Sequence, residues 1–435
     1  MKKINTSPIS GAQELLPTAQ ATFNKLKAGI AEVYHAHGFL NIETPVIDRT
    51  EILLAKAGGD TEKQIYKVAK TAETMDGADQ ALRIDHTVPL ARYVVDHEND
   101  LTFPFKVSQI GRNFRGERAQ KGRFREFYQL DADVIGRGNL PIAYDADVIS
   151  TAVEALKTFI KPKMVVRISN RRILNGLIQE LGLSTKSEDI FGIIDHAEKV
   201  PEEVTRGSFE EIGLSNNEIE TLTNFMKING ERETAIAKLR ELDLQNETFE
   251  AGISELEQVL SMLEKQGHGD TVIADMLIVR GLDYYTGTVF ETFLPEYRHI
   301  GSICSGGRYE NLASNYTDQI LPGVGISIGL TRLFYVLNEN NLLEIEQKKP
   351  VDIVLIPFGE AELEFTYELS DKLRKAGKSV DICLTDKRIG DRMTYASKIA
   401  DYAAVIGENE VKSGVVNVKN LETGEQMSIE ENFAA

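Results

Sequence analysis

GRNFRGERAQKGRFR, residues 111–125, decides how the chain is read, and EFYQLDADVIG, residues 126–136, follows it directly. The island holds five arginines (Arg112, Arg115, Arg118, Arg123 and Arg125), one lysine and a single acid, Glu117. The 435-residue chain carries a formal net charge of −18, so this density runs against its background. Phe114, Phe124, Phe127 and Tyr128 interleave with the charges in a strand–loop–strand rhythm. A strand holds alternate side chains on one face at fixed spacing. Guanidiniums held that way can grip a polyphosphate through planar, bidentate hydrogen bonds. The competing reading is a solvated charge run, and the regular interleaving of glycine and aromatic residues argues against it.

The length implies more than one domain, and 42% hydrophobic residues suffice for sizeable cores. Two cysteines, Cys304 and Cys383, lie far apart with no CxxC spacing, which supports neither a zinc site nor a disulfide framework. No fixed protein metal site is expected. No apolar run is as long as a membrane span, and MKKINTSPIS lacks the apolar segment of a secretory signal. The expected location is the cytoplasm. The acidic balance argues against non-specific nucleic-acid binding and leaves room for a nucleic-acid partner met through local basic patches.

Periodicity predicts a helix over 17–37, with Phe23, Leu26, Ile30, Val33 and Tyr34 at helical spacing and Gly38 as its stop. Residues 39–47 read as extended, and Pro45 points to a sheet edge or an interface. Residues 105–136 read as paired strands and 141–161 as a helix. From about 170 to 267 aromatics thin out and helical periods recur, which predicts a helical insertion. Sheet-like sequence resumes at 272–293, and 323–337 reads as a glycine-rich strand leading into a helix. Residues 338–350 read as a polar linker. Beyond it strands alternate with helices, which implies a small α/β domain with a largely parallel sheet.

Four further segments can carry chemistry. In Arg83-Ile-Asp-His-Thr87, Asp85 can hold a substrate ammonium, or Asp85 and Thr87 can satisfy free amides at a helix N-terminus. In Arg280-Gly-Leu-Asp-Tyr284-Tyr285-Thr-Gly287, adjacent tyrosines on a strand point to opposite faces, so one can line a pocket. Gly306-Gly307-Arg308-Tyr309 sets a glycine pair beside an arginine. Residues 323–332 are neither a P-loop nor a dinucleotide fingerprint. They read as a strand whose missing side chains admit a flat ligand, with Arg332 near a helix start where phosphate is welcome.

Taken in this order, the segments resemble the class II aminoacyl-tRNA synthetases, and within them the histidyl-tRNA synthetase family. Residues 114–129 look like the class's second motif, 323–332 like its third, and 38–45 like its degenerate first motif, which in the class builds a dimer interface. Residues 280–287 and 306–309 are similar to the family's histidine signatures. The implied fold is a mixed α/β one. Residues 1–169 and 268–337 would form an antiparallel class II sheet flanked by helices. Residues 170–267 would be the helical insertion, 338–350 the linker, and 351–435 an α/β anticodon-binding domain.

The resemblance implies activation of L-histidine with ATP, release of pyrophosphate, and transfer of histidine to the 3′ end of tRNA(His) by a homodimer. It implies that Arg115 and Arg280 act catalytically at the α-phosphate. Glu117 would contact the adenine side, while Arg123 and Arg332 hold the outer phosphates and Mg²⁺ bridges them. Histidine would be bound by Asp85, Thr87, Arg115, Gln129, Asp133, Arg280, Tyr284 and Tyr285, and tRNA by Gln120, Arg388 and Arg392. Many bacterial members have Glu where Asp85 and Asp133 stand, which shortens the reach of both carboxylates here. The loop 118–122 lacks the family's usual proline. Regulatory paralogues of histidine biosynthesis share the core but typically lack the C-terminal domain and erode the ATP arginines, both of which this chain keeps. A tRNA-sensing module with a dead site is also hard to reconcile with four retained arginines.

Overall fold

A computed structural model of the chain describes residues 4–55, 62–72, 77–118, 122–160, 163–279, 285–310, 312–343 and 349–429. It contains two compact units, Met1–Gln13 with Lys27–Glu344 and Glu14–Leu26 with Ile345–Ala435.

The strands of the larger unit are β1 (Leu40–Ile42), β2 (Ile47–Arg49), β3 (Lys67–Val68), β4 (Gln80–Leu82), β5 (Phe105–Phe114), β6 (Glu126–Ile135), β7 (Val165–Asn170), β8 (Asn229–Gly230), β9 (Val272–Asp275), β10 (Tyr285–Phe293), β11 (Cys304–Tyr309) and β12 (Gly323–Ile328). Nine of the described strands form one sheet, in the order β1-β5-β6-β12-β11-β10-β7-β9-β8. Pairing is mostly antiparallel, but β1 runs parallel to β5 and β7 parallel to β9. β2, β4 and β3 make a small antiparallel sheet of their own.

The predicted leading helix runs Pro17–Ala36. Its buried Tyr34 donates to the Leu130 carbonyl of β6 at 3.0 Å, and Gly38 beyond it has φ +82°. Helices Ala143–Lys157 and Leu330–Glu339 pack on β12 and β6 respectively. The second reaches two residues past the predicted end at Leu337, where its buried stripe of Leu333, Phe334, Val336 and Leu337 stops. Six α-helices lie between β7 and β9, from Arg171–Glu180 to Glu247–Lys265. The last buries Phe249, Ile253, Leu256, Leu260 and Leu263, a helical stripe, and Asn246 caps it by accepting from the Phe249 amide.

In the smaller unit the order is β14-β13-β15-β16-β17, comprising β13 (Val351–Pro357), β14 (Val380–Ile382), β15 (Ala400–Ile406), β16 (Asn417–Asn420) and β17 (Gln426–Ser428). β13 is parallel to β14 and β15, so both of its faces need covering. Ile353 and Leu355 pack with Leu369 and Leu373 of helix Leu363–Lys375, while Val354 and Ile356 pack with Met393 and Ala396 of helix Ile389–Ile399. The antiparallel hairpin β16–β17 is an addition to the sequence reading. Its short polar strands carry too little alternation to announce themselves.

Candidate active site

The β5–β6 hairpin pairs without interruption from Phe105↔Ile135 to Phe114↔Glu126. Strand alternation then puts Phe127, Gln129, Asp131 and Asp133 on one face, and all four line a cavity of about 610 Å³. Asp85, Thr87, Arg115, Glu117, Arg123, Tyr285 and Arg332 line the same cavity. The structure therefore brings together every candidate for ATP or histidine binding that lies among the described residues. Arg280, Tyr284 and Gln120 lie outside them.

The Tyr309 hydroxyl donates to Asp133 Oδ1 at 2.9 Å. Burial pushes the Asp133 carboxyl well above the usual carboxylate range, Asp131 adds to the push, and the tyrosine bond opposes it. Gly325 sits opposite Asp133 in the register, and a Cβ there would lie 2.0 Å from Asp133 Oδ1. A Cβ on Gly307 would lie 2.9 Å from the Tyr285 ring. Gly325 and Gly307 thus make room for the protein's own acid and aromatic side chains, while Gly325 and Gly329 of the glycine-rich segment also line the cavity. Arg308 of the same signature points away from the chemistry. It is buried against Asp145 (2.7 Å) and donates to the Leu140 carbonyl at 3.1 Å.

Asp85 takes the helix-entry role and also faces the cavity. Its Oδ1 accepts the Val88 amide at 3.0 Å at the entry to helix Thr87–Asp96, and it also lines the cavity. Burial raises its carboxyl pKa, against the pull of that amide and of Arg115. Gln129 is fixed at both ends, since Asn113 Nδ2 donates to its Oε1 and its Nε2 donates to Ser327 Oγ, each at 2.6 Å. Arg83 is fully buried, with Nη1 donating to the Thr44 carbonyl at 2.7 Å and Nε to the Arg112 carbonyl at 3.0 Å. It braces the segment that carries Asp85.

The basic island divides. Arg115 stacks over the Phe127 ring at 5.2 Å and spends Nε on the Ile84 carbonyl at 3.1 Å. Arg123 pairs with Glu117 at 3.5 Å. Arg332 donates to the Ile300 carbonyl, and burial followed by the nearby Arg123 charge lowers its guanidinium pKa. Two cations held near one another in a cavity suit a polyanion. Arg112 instead pairs with Glu126 at 2.8 Å, and Arg125 donates to the Glu117 carbonyl at 3.1 Å. In the smaller unit Arg388 is exposed, while Arg392 donates to the Pro357 carbonyl at 2.6 Å.

Sequence reasoning passed over Asp131, Ser327 and the role of Tyr309. It also passed over three residues of the insertion, Asp195, Glu198 and Lys199, which line the cavity too. Asp131 had a signal, because it shares strand parity with Gln129 and Asp133. The insertion residues had none, since their placement depends on tertiary packing. There Glu198 accepts two bonds from Arg167 of β7, at 2.7 and 3.0 Å, and Arg167 also binds Asp275 at 2.7 Å.

Comparison with known proteins agrees with this geometry. Residues 11–333 match the family model described as histidyl-tRNA synthetase, and residues 352–434 match one described as an anticodon binding domain. The chain is 45% identical to a curated histidine–tRNA ligase of Clostridium tetani, covering 99% of this chain and 98% of that one. A crystal structure of histidyl-tRNA synthetase from Nostoc sp. PCC 7120 superposes with a TM-score of 0.88 at 35% identity, over 98% of this chain and 97% of the other. A Bacillus halodurans structure titled an ATP phosphoribosyltransferase regulatory subunit/histidyl-tRNA synthetase shares the fold at TM-score 0.77 and 23% identity, over 93% of this chain and 100% of that one. With the arginines, the buried acid–tyrosine pair and both matched segments in one sequence, the chain belongs to the histidyl-tRNA synthetase family.

Proposed function

We propose that this chain forms histidyl-adenylate from L-histidine and ATP, releases pyrophosphate, and transfers histidine to the 3′ end of tRNA(His). The observation that carries the reading is a single cavity that joins the Asp133–Tyr309 pair to Arg115, Arg123 and Arg332. Asp133 and Tyr285 face the imidazole, with Tyr284 completing the wall. Asp85, Thr87 and Gln129 take the amino group. Arg115 and Arg280 meet the α-phosphate and the substrate carboxylate, and stabilise the charge that grows as the carboxylate attacks. Glu117 faces the adenine, and Arg123 and Arg332 hold the departing pyrophosphate. Such positioned donors do most of the work in a phosphoryl-type transfer, with little proton chemistry asked of the protein.

Mg²⁺ enters this reading with the nucleotide. Among the described residues no three His, Cys, Asp or Glu side chains cluster to hold a metal. Mg²⁺ suits such a site, because it commonly keeps its waters and binds through substrate phosphates and one or two carboxylates. Glu291 lines the cavity and is a carboxylate that would hold its waters. When bound, it neutralises phosphate charge.

For tRNA, Gln120 would meet the acceptor end, and the exposed Arg388 with Arg392 would grip the anticodon arm. Exposed Phe358 and Tyr395 in the same unit offer rings on which bases stack. We also place the protein in the cytoplasm as a homodimer, and no described helix is long and apolar enough to cross a membrane. β1 is the outer strand of the large sheet, and its Leu40 is 60% exposed. An open edge with apolar side chains is a ready pairing surface. Sedimentation equilibrium is expected to give twice the chain mass of 48.4 kDa, and a monomer at micromolar concentration would remove the dimer from this reading.

The test of the main reading is ATP–pyrophosphate exchange with each standard amino acid. Exchange with histidine alone is expected. None with any amino acid, from folded protein, would place the chain with the regulatory paralogues.

A further inference from the structure

We propose that Asp131, held in place by His86, is a further anionic contact for the α-ammonium group of the amino-acid substrate; this rests on the histidine-activating reading above. Asp131 lies between Gln129 and Asp133 on the cavity face of β6 and is 3% exposed. Its Oδ2 meets His86 Nδ1 at 2.9 Å. Its Oδ1 is buried and has no hydrogen-bond partner among the described residues. A buried carboxylate oxygen left without a donor is costly, so a ligand that supplies one is strongly favoured.

His86 is itself immobile. It is fully buried, and its carbonyl accepts from Gln109 Nε2 at 3.1 Å, while Gln109 Oε1 accepts from Thr44 Oγ1 at 2.8 Å. Gln109 is also the register partner of Asp131 on β5. The imidazole therefore fixes the carboxylate's orientation from behind, because the strand and the 83–87 segment are tied to the same glutamine.

Counting donors points to the ammonium. An ammonium brings three N–H donors, whereas a neutral imidazole brings one. Asp85 has already spent Oδ1 on the Val88 amide, and Gln129 Oε1 already accepts from Asn113. Asp131 Oδ1, by contrast, accepts from nothing among the described residues, so it is the acceptor with the most to gain from one of the ammonium's donors. The imidazole N–H is served by the Asp133–Tyr309 pair. Mutual repulsion among Asp85, Asp131 and Asp133 also favours a ligand that brings positive charge, since Asp131 raises the carboxyl pKa of both neighbours.

The experiment uses the full chain and two analogues. Histamine keeps the ammonium and the imidazole; imidazole-4-propionate lacks the ammonium. Asp131→Asn is expected to raise the KM for histidine in pyrophosphate exchange about ten- to one-hundred-fold, the range for a lost charge-assisted hydrogen bond, with kcat and the KM for ATP within about threefold. Calorimetry should show histamine binding weakened by a similar factor and imidazole-4-propionate unaffected. His86→Leu should reproduce the loss, and His86→Gln, which keeps a donor toward Asp131, should recover part of it. If Asp131→Asn does not fold, the two His86 variants read the same contact from its other side. A histidine KM within about twofold of the parent's in Asp131→Asn would overturn the proposal, because so small a change is under half a kcal/mol. Equal weakening of both analogues would overturn it as well, moving Asp131 to the imidazole. The unaltered protein separates the two levels: exchange with histidine there upholds the activity whatever Asp131 does. Failure of the unaltered protein to bind histamine removes the proposal directly.

Discussion

Arg115→Ala is expected to leave the protein folded and to lower kcat for histidine-dependent pyrophosphate exchange by about 10²–10³-fold, the usual cost of removing one preorganised donor from a charge-building transition state. Arg115 is preorganised in the required sense. Its backbone amide bonds the Arg125 carbonyl at 2.9 Å across the hairpin, its Nε is fixed by the Ile84 carbonyl, and its guanidinium carbon lies 5.2 Å from the Phe127 ring centroid. The terminal nitrogens therefore need little reorganisation when phosphate arrives. Arg115→Lys should recover only a small part of the loss, since a point charge lacks the planar fork. Steady-state exchange kinetics with a thermal melt on each variant check this. An alanine variant within about threefold of the parent would remove Arg115 from the chemistry, being far below the cost of a transition-state donor.

The second large effect concerns stability. Asp145→Ala is expected to destabilise the protein by about 3–5 kcal/mol, the cost of breaking a buried ion pair and leaving one charge uncompensated. Arg308 and Asp145 are 5% and 0% exposed, and Arg308 Nε also lies 3.1 Å from both carboxylate oxygens. Burial is the largest influence on the Asp145 carboxyl and raises its pKa, against the pull of Arg308 and Thr288, and a well-packed apolar pair of similar volume avoids that desolvation. The double variant Asp145→Leu with Arg308→Met should consequently recover most of the loss. Urea midpoints at unchanged slope measure both. A single variant as stable as the parent would mean that Arg308 finds compensation in the Leu140 and Pro141 carbonyls alone.

Much of the large sheet was legible because its decisive strands are long and patterned. Phe105–Phe114 and Glu126–Ile135 are ten residues each, with clean apolar–polar alternation over 128–134, and the α/β alternation after Pro350 is equally plain. The short strands β8, β16 and β17 escaped notice because two to four residues carry no period. At the site, the arginines and Asp85 were visible as residue types that suit phosphate and ammonium. What each glycine is for was not visible. Sequence can mark Gly325 as a missing side chain, but only the β6–β12 register shows that Asp133 fills the space. Arg308 taught the opposite lesson. An arginine beside two glycines could not be given a role from its type, and only its burial against Asp145 reveals a brace.

The fit of Asp133 against Gly325 also bears on how the sheet is assembled. β12 meets β6 with Gly325 opposite Asp133, and it meets β11 with Gly323 opposite Tyr309. Sliding β12 by one residue would set Val324 or Ile326 against the acid and turn every side chain of the strand to the wrong face. A sheet in which β12 has slipped therefore loses the seat of the acid–tyrosine pair. Catalytic competence becomes a certificate of register at the centre of the sheet, so a count of active sites in a refolded sample is also a count of molecules whose β12 is correctly woven in.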